Sequence, residues 1–172
     1  PQQQPTPLLV GCRRWLEDSH ARLRRRCNVP LADPAELDVV DRPLTGSIEP
    51  GQAGAASGAA SFHWLTEAVA QVQSGACSAL VTAPIAKHAW HAAGHHYPGQ
   101  TERLAELAGV ADAAMLFTAR SPLCGWRLNT LLATTHIPLA AVAEALTAER
   151  LHRRLDTLLE FCQRFQSCLL YT

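Results

Sequence analysis

The chain has 172 residues, of which 48% are hydrophobic and 17% are charged, and its formal net charge at pH 7 is zero. This composition argues against a disordered chain, which would be poor in apolar residues, and against a polyanion-binding protein, which would carry excess positive charge. The arginines at positions 22 and 24–26 have no interleaved aromatic residues, so we interpret them as a solvated helix end. We therefore expect no nucleic-acid partner.

The cysteine pattern and the hydropathy indicate in which cellular compartment the protein is expected. The six cysteines include no C-x-x-C pair, which favours reduced thiols. No signal peptide is visible, and no apolar run reaches the roughly 18 to 20 residues that a membrane span needs. We expect a cytoplasmic protein without a membrane partner, folded as one α/β domain or as part of a larger one.

The amino-terminal part predicts short strands and helices. Residues 8–10 predict a buried strand, and residues 13–26 predict a helix. The region 28–55, rich in proline and glycine, predicts a connecting loop in which residues 37–40 add an edge strand. Residues 55–74 predict a helix, because apolar residues recur at spacings of three and four. Its predicted apolar face consists of Phe62, Leu65, Val69 and Val72.

The segment that follows carries the chain's only lysine. Residues 77–82 form a continuous apolar run between two predicted helices, which is typical of a central parallel strand. The predicted fold class is therefore α/β, with a mostly parallel sheet flanked by helices. Ligands bind at the carboxyl ends of such strands, so we expect Thr82, Pro84 and Lys87 to meet a substrate. Because fourteen arginines carry the other positive charges, a solitary lysine indicates a place that needs a compact ammonium group.

The carboxyl-terminal part repeats the alternation of helices and strands. Thr101 is predicted to cap a short helix that ends at Leu107. Residues 113–118 predict a strand, with residues 128–134 as its neighbour. Residues 138–146 and 147–165 predict two helices. The second has one apolar face, formed by Leu151, Leu155, Leu158, Leu159 and Cys162.

Histidines are the candidate metal ligands in this sequence. Those at positions 88, 91, 95 and 96 have no cysteine near enough to complete a four-ligand zinc site, so we interpret them as partly exposed helix and loop residues. His136 follows an apolar strand and precedes Ile137-Pro138, and residue chemistry leaves open whether it packs in the core or binds a ligand. The chain lacks G-x-G-x-x-G, P-loop and G-x-S-x-G motifs, so its chemistry alone predicts only an α/β ligand-binding domain.

Three separated motifs resemble one known family. Residues 80–87 (LVTAPIAK), 98–102 (PGQTE, preceded by Ala93-Gly94) and 133–139 (ATTHIPL) are similar, in this order, to motifs of the 4-hydroxythreonine-4-phosphate dehydrogenase family of vitamin B6 biosynthesis. The resemblance runs from about residue 8 to residue 165. It implies part of a fold like that of isocitrate and isopropylmalate dehydrogenases. It also implies oxidation of 4-phosphohydroxy-L-threonine to 2-amino-3-oxo-4-phosphooxybutanoate, which decarboxylates to 3-amino-2-oxopropyl phosphate.

The resemblance also implies cofactors, a partner and site residues. The cofactors are NAD or NADP, bound mostly by the family's carboxyl half, and a divalent metal such as zinc, magnesium or cobalt; the family is homodimeric. His136 is implied as one of three histidine metal ligands, Gln100 and Thr101 as substrate contacts, and Lys87 as a catalytic candidate facing anionic substrate groups. Gln100 stands where most members carry histidine, so a neutral amide that cannot transfer a proton replaces a titratable ring.

Parts of the family pattern are missing from this sequence. The amino-terminal Gly-Asp-Pro segment and the carboxyl half, with its two further metal histidines, do not occur, so we expect residues 1–167 to be an incomplete and inactive part of such an enzyme. Residues 168–172 (CLLYT) match one reading frame of a transposase adapter used in DNA library preparation, and we expect them to be non-native. Two alternatives stay open: a paralogue acting on a four-carbon acid-sugar phosphate, and a non-catalytic remnant kept for binding or dimerisation.

Overall fold

The computed structural model describes residues 7–165, which divide after Ala111 into two compact units. The first unit contains β1 (Leu8–Gly11), α1 (Arg13–Arg24), β2 (Asp38–Asp41), α2 (Ala55–Gln73), α3 (Lys87–Ala92) and α4 (Gln100–Ala108). The second contains β3 (Leu116–Arg120), β4 (Arg127–Leu131), α5 (Val142–Ala145) and α6 (Ala148–Arg164). Turns of 3-10 helix, Pro34–Glu36 and Leu139–Ala141, precede β2 and α5. A mixed α/β class is confirmed; the expected adapter-derived residues 168–172 lie outside the described residues.

The first unit begins with a parallel pair of strands. β1 and β2 run in register from Leu8 opposite Asp38 to Gly11 opposite Asp41, so the two predicted strands are confirmed to within about one residue. The Asp41 carboxylate accepts a hydrogen bond of 2.9 Å from the backbone of Arg13, the first residue of α1. This bond satisfies one of the free N–H groups at the start of the helix. The helix ends at Arg24, two residues before the predicted end.

The core of the first unit lies between α2 and α3. Leu65 and Val69 of the predicted apolar face are buried. Trp90 of α3 is fully buried, and its indole nitrogen donates to the Ser61 hydroxyl at 2.9 Å. A Cβ placed on Gly58 would lie 1.9 Å from the carbonyl oxygen of Ala89, so only glycine lets the two helices approach this closely. The position of α3, and of the lysine at its start, follows from this packing.

The predicted central strand at residues 77–82 is wrong. These residues adopt no strand within the part of the chain that the structure describes, and Val81 is 94% exposed. The prediction of a mostly parallel sheet is also wrong for residues 7–165, which hold one parallel and one antiparallel pair of strands. The physical reason is that an apolar run becomes a strand only when a neighbour satisfies its backbone hydrogen bonds. Local apolarity does not report whether that neighbour is there.

The second unit contains a hairpin. β3 and β4 pair antiparallel, from Leu116 opposite Leu131 to Arg120 opposite Arg127. The predicted pairing of these two strands is confirmed, and both strands overlap their predicted ranges with ends that differ by one to three residues. In place of the single helix predicted over residues 138–146, the chain forms a 3-10 turn followed by the single turn of α5. The backbone leaves the helical region at Leu146.

The last helix begins within one residue of the predicted start, and most of its apolar face is exposed. Thr147 precedes α6, and its hydroxyl accepts a hydrogen bond of 3.2 Å from the backbone of Arg150, which caps the helix. Cys162 is buried, whereas Leu151, Leu155 and Leu159 are exposed. Periodicity identifies an apolar face but does not supply the surface that covers it. Among residues 7–165, no helix combines the length and the apolarity that crossing a membrane requires.

Candidate functional site

Lys87 is the first residue of α3. Residues 79–86, which precede it, have no regular secondary structure, and the helix is anchored one turn later by the buried Trp90. The Lys87 side chain is exposed. The prediction that this lysine follows a strand is therefore wrong, but the lysine still lies at the junction of a loop and a helix. Its position is fixed by helix packing instead of by a sheet.

Gln100 and Thr101 are the first two residues of α4. The residue that precedes the helix is Gly99, so the prediction that Thr101 is the cap is wrong. The helix starts one residue before Thr101, which leaves this threonine half-buried inside the first turn. Capping signals in a sequence locate a helix start only to within about two residues. Gly99 offers no side chain to the free backbone N–H groups of this helix end.

A side-chain hydrogen bond joins the two segments. The amide nitrogen of Gln100 donates to the carbonyl oxygen of Ala83 at 3.0 Å, which ties the loop before α3 to the start of α4. A Cβ placed on Gly99 would lie 3.7 Å from Cε and 3.8 Å from Nζ of Lys87, so the lysine side chain passes directly over this glycine. The structure therefore brings Lys87 next to Gln100 and Thr101. Their binding roles stay predictions.

Two acceptor atoms in this cluster are buried without a partner. They are Oε1 of Gln100 and Oε2 of Glu102, and neither accepts a hydrogen bond within residues 7–165. Buried polar atoms without partners are uncommon, because each loses its hydration without compensation. The sequence alone assigns Glu102 no role. An acidic residue in the first turn of a helix is common on protein surfaces, so no signal in the sequence distinguishes this one.

The outer side of α4 is fixed by Arg103. Its guanidinium donates to the Glu106 carboxylate at 3.0 Å and to the hydroxyls of Tyr97 and Thr66 at 3.3 Å each, and it lies 4.7 Å from the centre of the Phe62 ring. The Tyr97 hydroxyl also donates to Glu106, and this bond, followed by that from Arg103, lowers the pKa of the Glu106 carboxyl below its usual value. These contacts hold α4 against α2 and so position the first turn of α4.

His136 belongs to the second unit and has an unusual backbone. Its φ is 58°, and it is the only residue other than glycine with a positive φ among residues 7–165. Histidine tolerates this left-handed region better than most residues, but the conformation still stores strain, and such strain clusters at functional sites. The side chain is exposed. An exposed side chain does not fit the alternative of a packed core histidine, and the role of His136 as a ligand stays a prediction.

A complete metal centre is not present in the described residues. Among residues 7–165, no three His, Cys, Asp or Glu side chains are grouped so that they could hold a metal ion. A single histidine does not fit a divalent metal, because such sites usually need three or more protein ligands. The role of His136 as a metal ligand therefore stays a prediction.

The fold is that of a mixed α/β protein, and the cluster around Gly99, at the start of two helices, is its candidate site for a small-molecule ligand. The family described as pyridoxal phosphate biosynthetic protein PdxA matches residues 3–168. The chain belongs to this family.

Relatives support this membership at high identity. The chain is 66% identical, over 160 residues, to a 4-hydroxythreonine-4-phosphate dehydrogenase from Synechococcus sp. (strain RCC307), covering 93% of the chain and 49% of the relative. A Thermosynechococcus vestitus protein of the same name is 48% identical, covering 89% and 45%. The crystal structure of a 4-hydroxythreonine-4-phosphate dehydrogenase from Klebsiella pneumoniae matches with a TM-score of 0.75 at 31% identity, covering 91% and 49%. The chain thus spans about half the length of the curated relatives it matches.

Proposed function

We propose that the family-length form of this protein is a 4-hydroxythreonine-4-phosphate dehydrogenase of pyridoxal phosphate biosynthesis. It oxidises 4-phosphohydroxy-L-threonine with NAD or NADP to 2-amino-3-oxo-4-phosphooxybutanoate, which decarboxylates to 3-amino-2-oxopropyl phosphate. The observation that carries this proposal is the 66% identity to a relative of that name, over nearly the whole chain. The 172 residues alone are expected to be inactive, because two of the three proposed metal ligands are not among them.

The cluster around Gly99 suggests what each residue contributes. The exposed ammonium of Lys87 suits the phosphate or carboxylate of the substrate, since a charge-assisted hydrogen bond is stronger than a neutral one. Thr101 offers a hydroxyl that both donates and accepts. Gln100 already donates to Ala83, so its main role is to hold the loop before α3, and its remaining acceptor is Oε1.

The metal, the dimer and the location belong to the same proposal. His136 contributes one of three histidine ligands to zinc, magnesium or cobalt in the family-length protein, and its strained backbone supports a fixed orientation of the ring. The other two ligands come from outside the described residues. The family-length protein is proposed to work as a homodimer in the cytoplasm.

A chimera tests the proposed activity. Residues 8–165 of this chain replace the equivalent residues of the Synechococcus sp. relative, and reduction of NAD and NADP is measured with 4-phosphohydroxy-L-threonine as substrate. We expect turnover by the chimera and none by the 172-residue chain. Lys87→Met in the chimera should raise KM by about tenfold, the effect of losing one charge-assisted hydrogen bond. Robust activity of the isolated chain would overturn the assignment of the metal ligands.

The rival substrate is tested in the same assay. Gln100 in place of the family's usual histidine keeps open a paralogue that dehydrogenates a four-carbon acid-sugar phosphate. A chimera that prefers the acid-sugar phosphate would move the assignment to that paralogue. A folded chimera inactive with both substrates, alongside an active parent relative, would favour the non-catalytic alternative.

A further inference from the structure

The Glu102 carboxylate has an oxygen that is buried without a hydrogen-bond partner. Its Oε2 is buried and accepts no hydrogen bond within the described residues. A buried carboxylate oxygen without compensation is unfavourable, and the usual compensation in proteins is a cation or a hydrogen-bond donor. The next residue, Arg103, does not provide it: its two terminal nitrogens bond to Tyr97, Thr66 and Glu106, and its Nε donates to no group within the described residues.

The Lys87 ammonium is a neighbouring cation that has no partner of its own among the described residues. Within residues 7–165 it forms no hydrogen bond and no ion pair. A Cβ placed on Gly99 would lie 3.3 Å from Oε2 of Glu102 and 3.8 Å from Nζ of Lys87. The two charges therefore flank the same glycine at no more than about 7 Å from each other, a range in which opposite charges attract measurably.

The backbone of Gly99 keeps the space between them open. Its φ of −175° is ordinary extended backbone, so glycine is not required there by conformation. What the missing side chain provides is room, since any Cβ would stand against both charged groups. A small rotation of the flexible lysine side chain brings the ammonium to the carboxylate without moving the backbone.

We propose that Glu102 is a positioning residue for Lys87: its carboxylate draws the ammonium over Gly99, toward the first turn of α4 that carries Gln100 and Thr101. The ammonium of Lys87 is then held in one orientation before a ligand binds. An anionic ligand therefore binds a fixed donor, and the cost of ordering a mobile side chain is avoided. The identity of that ligand rests on the proposed function, whereas the pairing of Glu102 with Lys87 does not depend on it.

The single lysine makes the pair directly measurable. In the 172-residue chain, an amine-acylating reagent modifies only one ε-amine, and peptide mass mapping separates it from the chain terminus. The acylation rate of Lys87 is compared between the unaltered chain and Glu102→Gln. We expect the variant to react about threefold faster, because the unaltered chain must first break the ion pair, whose strength is set by screened Coulomb attraction.

Further variants separate charge from shape. Gly99→Ala keeps both charges but inserts a methyl group between them, so it should accelerate the reaction as well. Glu102→Asp keeps the charge on a shorter side chain and should lie between the unaltered chain and Glu102→Gln. Glu17→Gln, which removes an exposed carboxylate from α1, is the matched control and should leave the rate unchanged. At about 1 M salt, screening should shrink the effect of Glu102→Gln.

The outcomes decide the proposal. Equal rates for the unaltered chain and Glu102→Gln, with unchanged circular dichroism, would refute the pair. Acceleration by Gly99→Ala alone would also refute it, since that pattern reports only steric access. If Glu102→Gln unfolds, Glu102→Asp gives the answer: a rate equal to that of the unaltered chain at low and high salt rejects the pair. Because no substrate is used, failure here leaves the proposed dehydrogenase activity untouched.

Discussion

Replacing Gly58 by alanine should destabilise the first unit, although alanine is the better helix former. In the middle of a helix, alanine is favoured over glycine by about 1 kcal/mol. At this position the added Cβ would lie 1.9 Å from the carbonyl oxygen and 2.3 Å from the carbonyl carbon of Ala89, and both atoms belong to the backbone of α3. Overpacking of this kind costs about 1 to 3 kcal/mol or more, and a backbone obstacle cannot rotate away. Because the obstacle is backbone, we use the upper end of that range, about 3 kcal/mol, and subtracting the helix gain of about 1 kcal/mol leaves a net loss of about 2 kcal/mol in the free energy of unfolding.

Urea unfolding followed by circular dichroism measures this loss, and Gly54→Ala provides the control. Gly54 precedes the same helix, and a Cβ placed on it would have no heavy atom within 4 Å. Its N–H donates to Ser57, and alanine preserves that bond. The control should therefore change stability by less than about 1 kcal/mol. The Gly58 variant should also alter the acylation rate of Lys87, because α3 carries that lysine. A Gly58→Ala chain as stable as the original would refute the close packing of α2 on α3.

Three further predictions concern exposure, charge and capping. Val81→Ser should change the free energy of unfolding by less than about 0.5 kcal/mol, because Val81 is 94% exposed; a loss above about 2 kcal/mol would indicate a buried strand. Glu106 has a lowered pKa in the fold, so its stabilisation is present above its ordinary value of 4.5 and is lost as pH falls through the lower folded value. Tyr97→Phe removes the main cause of that shift and should move the midpoint of acid unfolding to higher pH, as measured by circular dichroism. Thr147→Ala should lower the helical signal of α6 and cost about 1 kcal/mol, unlike Thr147→Ser, since the hydroxyl caps Arg150.

The elements that depend on local pattern could be predicted from the sequence. The helix over residues 55–74 is predictable because its apolar residues repeat at the helical period, and Leu65 and Val69 are buried as that period requires. The prediction for residues 77–82 failed because strand formation depends on a partner that is distant in sequence. The leucines of α6 show a related limit, since periodicity says which residues share a face and not whether anything covers that face.

The sequence predicts that some residues of the candidate site lie close together, but it predicts neither their geometry nor the presence of Glu102 among them. The family resemblance implies that Lys87, Gln100 and Thr101 share one pocket, and the structure brings Lys87 beside Gly99, which precedes the other two; their binding roles stay predictions. What the sequence leaves undetermined are the contacts that hold the cluster together: the bond from Gln100 to Ala83, and the approach of Lys87 and Glu102 to Gly99. These depend on side-chain directions at a helix start that sequence reasoning locates only to within about two residues.

Gln100 changes how this site should respond to pH. A neutral histidine and a glutamine each offer one hydrogen-bond donor group and one acceptor group. The Gln100 amide can therefore take the place of a histidine ring in the hydrogen bond that joins Ala83 to the first turn of α4. Protonation would convert a histidine's acceptor into a donor and add a charge close to Lys87, whereas the amide keeps both functions at every pH. In this chain the bond between the loop and α4 is therefore independent of pH. Any proton transfer at this end of the site must fall to another group.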